Sequence, residues 1–201
     1  MELLKRVLSQ NNLGKALSKV KGNRGSGGVD GMGVKELPKH LKQHWPRINK
    51  EILNGQYCPQ PVLGVEIPKD NGGVRLLGIP TVTDRVIQQA INQVLSPLYE
   101  PEFSEFSYGF RPGRNAHQAL EQAKKYINEG YQEIIDLDLK SFFDKVNHDI
   151  LMSLLMQKVK DRNLLKLIRR YLQSGLLLDG VSSPRPQDER MDPKGRGPVD
   201  L

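Results

Sequence analysis

Residues 133–149 read EIIDLDLKSFFDKVNHD, and the fold follows from how this stretch is read. Ile134 and Ile135 lead into alternating Asp136, Leu137, Asp138 and Leu139. Period-two alternation predicts a strand with both aspartates on one face and the leucines on the other. Aspartate is a poor strand former, so two of them in one strand call for a reason. A carboxylate at a strand end, next to the aromatic pair Phe142–Phe143, is suited to hold a divalent cation. Mg²⁺ is commonly held by one or two carboxylates while substrate phosphates complete its octahedron. The competing reading makes Asp136 and Asp138 solvent-facing residues of an edge strand. Asn147–His148–Asp149 then supplies capping residues for a helix beginning near Ile150.

Outward from this stretch, the pattern is mostly helical. Leu3, Leu4, Val7 and Leu8, then Leu13, Ala16, Leu17 and Val20, recur at helical spacing on either side of Asn11–Asn12. The run GNRGSGGVDG, residues 22–31, cannot continue a helix and is expected to be a mobile loop carrying Arg24. Val34 to Trp45 predicts a basic helix, with Pro46 starting another. Val65 to Leu77 predicts a hairpin turning at Asp70–Asn71–Gly72–Gly73, flanked by Lys69 and Arg75. Such a tip suits a phosphate ligand, or is simply solvated. Thr81 and Asp84 resemble a capping box at the head of a helix reaching Tyr99, with Val86, Ile87, Ala90, Ile91, Val94 and Leu95 as its buried stripe. In SYGFRPGR, residues 107–114, Arg111 and Arg114 beside Tyr108 and Phe110 are candidates for stacking on bases or touching phosphates. Asn115 with Gln118 caps a helix to about Asn128. Two helices follow, broken near Asp161, then a short strand at Leu176 to Leu178. From Ser182 the chain is charged and proline-rich, with too little apolar content to pack by itself.

Composition narrows the partners. The 201 residues carry a formal net charge of +7 and 37% hydrophobic residues. The first fifty hold eleven Lys or Arg against three acidic residues, a balance of +8, which leaves the other 151 near −1. Charge concentrated at one end points to a polyanion, nucleic acid above all. The single cysteine, Cys58, excludes an intrachain disulfide and a cysteine metal site. No apolar run approaches the roughly 18 residues of a membrane span, and the N-terminus is too polar for a secretory signal. A cytoplasmic protein without membrane contact is the expectation. His40 and His44 stand one helical turn apart with no third ligand in view, which makes them surface residues.

The order VEIPKDNGGVRLLGIPTVTDRVIQQA, SYGFRPGRNAHQAL, IIDLDLKSFFDKVNHDIL resembles group II intron-encoded reverse transcriptases (maturases) over roughly residues 1–181. The resemblance implies an α+β, right-hand polymerase fold, mostly helical with short antiparallel strands. Residues 1–130 would form an N-terminal extension and fingers, 131–181 a partial palm, and 182–201 a disordered or divergent tail. It implies RNA-directed DNA synthesis with Mg²⁺ on an RNA template and DNA primer from deoxynucleoside triphosphates, together with intron RNA binding and splicing. Asp138 matches the first catalytic, metal-binding aspartate, and Leu139 contributes a backbone carbonyl to the metal. Phe143 matches the gate under the nucleotide sugar. Lys69 and Arg75 match fingers residues on the triphosphate, and 23–31 matches a lid over template and primer. The family pattern continues after Gly180 to a TPQG-type motif and a Y-A-D-D turn with two more aspartates. Neither occurs within these 201 residues, which look truncated or frame-shifted. The alternative function is a non-catalytic, maturase-like RNA-binding fragment.

Overall fold

Asp84 has lost its water: it is 1% exposed, and four donors replace its hydration. Its Oδ1 accepts from the Tyr57 hydroxyl at 2.8 Å and the Tyr171 hydroxyl at 3.0 Å. Its Oδ2 accepts from the Thr81 hydroxyl at 2.8 Å and the Gln60 N–H at 3.2 Å. Thr81 Oγ1 in turn accepts from the Asp84 N–H at 3.1 Å, so the expected cap is present. The same carboxylate therefore starts a helix and ties together segments distant in sequence.

The computed structural model describes residues 2–70, 72–139, 142–178 and 180–183. The helices are α1 (Glu2–Val7), α2 (Gln10–Gly22), α3 (Leu37–Leu53), α4 (Val82–Tyr99), α5 (Ala116–Asn128), the single turn α6 (Phe142–Lys145), α7 (His148–Lys158) and α8 (Arg162–Gln173). The strands are β1 (Val62–Pro68), β2 (Val74–Ile79), β3 (Leu176–Leu178) and β4 (Val181–Ser183), in sheet order β2-β1-β3-β4. β1 and β2 form the expected antiparallel hairpin, with Ile67 opposite Arg75 and Val65 opposite Leu77. β3 joins β1 in parallel, Val62 opposite Leu176, and β4 returns antiparallel to it. The sheet is mixed, not purely antiparallel. β4 takes in Ser182 and Ser183, which composition had assigned to the tail; the rest of the tail lies outside the described residues.

Two compact units emerge, residues 1–94 with 143–201, and residues 95–142. The first holds the apolar core. Leu4, Val7, Leu37, Ile52, Ile87 and Leu164 are essentially sealed from water. The α4 stripe from Val86 to Val94 is buried as expected. Polar anchors fix the helices around it. Asp161 caps α8 through the Leu164 N–H at 3.3 Å and also accepts from the Leu4 N–H at 3.0 Å. Asn12 donates to the carbonyls of Val7 and Ala90, and Gln93 donates back to Asn12, joining α2 to α4. The second unit is small. It is held by an aromatic chain, Phe106 to Tyr126 to Tyr131, with ring centroids about 6 Å apart. Asn115 and Gln118 form the expected capping box of α5.

Three local expectations are corrected. Pro46 does not start a helix; it lies inside α3. Its side is exposed, so the Lys42 carbonyl that loses its ladder partner can turn to water, while buried Leu37, Ile48 and Ile52 hold the helix together. The break between α1 and α2 falls at Leu8–Ser9, ahead of Asn11–Asn12. Residues 131–139 form no strand, and Ile134, Ile135 and Leu137 are 83–88% exposed. A strand exists only through pairing and a covered face. Among the described residues no segment pairs with it.

Replacing Asp84 by Ala strands two buried phenols and the Gln60 N–H. The expected loss is about 3 kcal/mol or more, against about 1 kcal/mol for Tyr171→Phe, which removes one donor and leaves the carboxylate served. Urea denaturation of both variants measures the difference; equal losses would show that Asp84 does not organise the node. Burial works against the charge of Asp161, but hydrogen bonds, including those from Leu4 and Leu164, hold its carboxyl below the usual range. Its contribution to stability is therefore complete above the unfolded value of about 4 and is lost as pH falls through the lower, folded value. Asp161→Asn should flatten that part of a stability-against-pH curve below about pH 4.

Candidate nucleic-acid interface

The hairpin tip is built from backbone bonds. The Lys69 N–H donates to the Gly73 carbonyl at 2.7 Å, and the Gly72 N–H to the Lys69 carbonyl at 3.0 Å. Gly72 takes φ +83°, which a side chain would strain. Asn71 lies outside the described residues. Lys69 and Arg75 are both exposed, and neither makes an ion pair among the described residues. Val65, Ile67, Val74, Leu76 and Leu77 are also 37–56% exposed, so the hairpin presents apolar surface beside its cations.

The glycine-rich run at 22–31, expected to be a mobile loop, packs against the head of α4. An Arg85 Nη donates to the Ser26 carbonyl. A Cβ on Gly28 would stand 2.7 Å from the Thr81 nitrogen, and one on Gly25 2.5 Å from an Arg85 Nη. Glycine here permits backbone to lie directly on backbone at the head of α4. Burial lowers the Arg85 pKa, with Asp30 opposing the shift. Arg24 rides on this packed loop, exposed, with φ +48°. Nothing local in the sequence marked Arg85 as the residue that grips the loop, since Ser26 is 59 positions away.

Arg111, an RNA-binding candidate in the sequence, is turned inward. Its side chain is 8% exposed. It donates to Glu100 Oε1 at 2.8 and 3.0 Å and to the carbonyls of Ser104 and Ser107, with its guanidinium 5.3 Å from the Phe103 ring centroid. Its charge is spent on bracing the turn. Arg114 is half-buried, its guanidinium 5.7 Å from the Tyr108 ring centroid. Asp136, Asp138 and Leu139 lie on the exposed segment after α5, and Phe143 on α6 is 86% exposed. Asp138 and the Leu139 carbonyl are oxygen donors of the kind a hard divalent cation takes. No group of three His, Cys, Asp or Glu side chains suited to a metal occurs among the described residues. His40 and His44 are half-buried with rings 4.5 Å apart, not plain surface residues. Burial and then His44 lower the His40 pKa, against the pull of Asp30. No helix among the described residues is long and apolar enough to cross a membrane.

Gly28→Ala should push residues 25–31 off the head of α4, because backbone cannot yield as a flexible side chain can. Protease cleavage in that loop should accelerate severalfold while Gly22→Ala, where nothing lies within 4 Å, leaves it unchanged. Equal protection in both variants would refute the close packing.

Comparison with known proteins places this geometry. The reverse transcriptase (RNA-dependent DNA polymerase) family matches residues 67–193, more than half of the chain. Protein YkfC of Escherichia coli K12 is 35% identical over 152 residues, covering 74% of this chain and 40% of that protein. Group II intron-encoded protein LtrA of Lactococcus lactis subsp. cremoris is 39% identical over 132 residues, covering 65% of this chain and 22% of LtrA. This chain thus spans less than half the length of these curated relatives. Among solved structures, a partial Cas6-RT-Cas1–Cas2 complex matches with TM-score 0.58 at 19% identity, covering 90% of this chain and 29% of that one, a likeness of fold alone. The motifs, the hairpin and the family match converge: the chain belongs to the reverse transcriptase (RNA-dependent DNA polymerase) family and is similar to its group II intron-encoded members.

Proposed function

We propose that this chain supplies the nucleotide-gripping and RNA-binding part of a group II intron-type reverse transcriptase, which copies RNA into DNA and binds its intron RNA. The observation that carries the reading is the hairpin tip, where Lys69 and Arg75 stand exposed, without ion-pair partners among the described residues, beside a turn held by backbone hydrogen bonds. Two cations there suit the triphosphate of an incoming deoxynucleotide, each charge-assisted contact worth roughly 1.5–3 kcal/mol. Phe143 would lie against the nucleotide sugar and exclude a 2′-hydroxyl. Arg24, on its packed loop, and Arg114 would meet RNA phosphates. Reverse transcriptases as a family use divalent metal ions. Asp138 and the Leu139 carbonyl would hold Mg²⁺, whose chemistry is activation of the primer 3′-hydroxyl and neutralisation of phosphate charge in an in-line displacement.

The second reading, a non-catalytic RNA-binding fragment, is favoured by the +8 balance of the first fifty residues and by Asp138 being without the companion carboxylates that two-metal chemistry needs among the described residues. One experiment separates the two readings. The purified 201-residue chain is titrated with RNA across a salt series and assayed for primer extension with Mg²⁺. With about four to six phosphate contacts, log K should fall against log salt with a slope near −3 to −5, and no templated DNA should form. Templated product would refute the fragment reading; a flat salt dependence would refute RNA binding through the basic surface. In a longer protein that carries the remaining catalytic motifs, Asp138→Asn should abolish extension while RNA binding persists. There Arg75→Ala should raise the nucleotide KM more than the RNA Kd.

A further inference from the structure

Phe110 occupies a conformation that the local fold has no evident need of. Its φ is +57°, a left-handed backbone that non-glycine residues seldom adopt. Its side chain is fully exposed, at 111% of the reference area. Glycines stand at 109 and 113, so a residue better suited to φ > 0 is available in the same turn. A phenyl ring held in water loses its burial energy, and left-handed backbone adds strain. Residues in sparsely populated backbone regions persist only where their surroundings fix them, and they cluster at ligand sites.

The surroundings here are fixed. Arg111, the next residue, bonds to Glu100 and to the Ser104 and Ser107 carbonyls, which clamps the chain on both sides of the turn. Arg114 lies against the Tyr108 ring, so an arginine–aromatic pair flanks the exposed phenyl in the same eight-residue run. Phe110 makes no ring or cation contact of its own among the described residues. A solvent-facing aromatic ring on a braced turn, with a cation close by in the chain, is the arrangement that stacks on unpaired bases, because every base offers a π-face while the cation meets the backbone.

We infer that Phe110 is a stacking platform for an unpaired nucleobase, with Arg114 on an adjacent phosphate, so that the turn at 107–114 binds single-stranded nucleic acid in preference to duplex. This rests on the RNA-binding reading above and extends it by assigning the strand state and the residue that senses it. Bases within a duplex are already stacked on both faces and cannot receive the ring. An apolar stacking contact releases no counterions, so it alters affinity without altering salt dependence, whereas a phosphate contact alters both.

The test uses the 201-residue chain with single-stranded RNA containing 2-aminopurine, the matching RNA duplex, and single-stranded DNA of the same sequence. Phe110→Ala should weaken single-strand binding about five- to a hundredfold, leave the salt slope unchanged, leave duplex binding unchanged and abolish 2-aminopurine quenching. Phe110→Trp should retain binding. Arg114→Ala should reduce the salt slope by about one. Phe110→Gly should lose binding as Ala does, yet have a thermal midpoint no lower than the parent chain, since glycine relieves the backbone and the ring covers nothing. RNA and DNA single strands should respond alike, because stacking does not read the 2′-hydroxyl. Undiminished single-strand binding by Phe110→Ala would overturn the inference, as would an equal loss on duplex. A clear drop in thermal midpoint for Phe110→Gly would instead make the ring a packing residue. Failure of the parent chain to bind any RNA would defeat the RNA-binding reading itself, a result distinct from all of these.

Discussion

The buried carboxylate of Asp84 is the constraint on which the larger unit depends. A carboxylate removed from water is tolerated only when its lone pairs are met, and here the donors come from three places in the chain: the Tyr57–Gln60 segment, the head of α4 and the end of α8. Burial, with the charge and hydrogen bond of Asp84 adding to it, pushes the Tyr57 phenol upward; the Tyr171 phenol rises for the same reasons, so both remain donors. Arg170 adds a bond to the Tyr57 carbonyl at 2.6 Å, and Asn163 one to the Leu53 carbonyl at 2.7 Å. The chain leaving α3 is thereby seated against α8 immediately before it enters β1. β1 then meets β3, which follows α8 directly. The hairpin that carries Lys69 and Arg75 grows out of this anchored base.

The head of α4 serves a second surface. Thr81 and Asp84 start the helix; Gly28 lies on the Thr81 backbone and Arg85 holds the Ser26 carbonyl. One short stretch, Thr81 to Arg85, thus fixes both the core node and the loop that bears Arg24. Glycine in that loop contributes the absence of a Cβ more than flexibility, which is why a composition that suggests mobility accompanies close packing. The guanidinium of Arg85 is drawn partly out of water by the same contact, at the cost of a lowered pKa.

Arginine is used in two opposite ways within eight residues. Arg111 is turned inward and engaged by a carboxylate and two carbonyls, which braces the 103–114 turn. Arg114 keeps a half-exposed guanidinium against an aromatic face. Both read alike in sequence, as basic residues beside aromatic ones. Their difference lies in whether a carboxylate eleven residues upstream folds back to meet them, and only Arg111 receives Glu100.

Local chemistry determined much of this protein from its sequence. The Val65–Leu77 hairpin, the Thr81 and Asn115 caps, the apolar stripe of α4 and the short strand at Leu176–Leu178 follow from turn residues, capping residues and periodicity, which act over a few positions. The ordered motifs also carried the family. Tertiary structure decided the rest, because the partners are remote. Tyr57 and Tyr171 meet Asp84 across 27 and 87 positions, and Arg85 meets Ser26 across 59. The stretch at 134–139 shows the same limit from the other side. Its alternation specifies which face each side chain would take in a strand, but a strand forms only with a neighbour to pair with, and the described residues give it none.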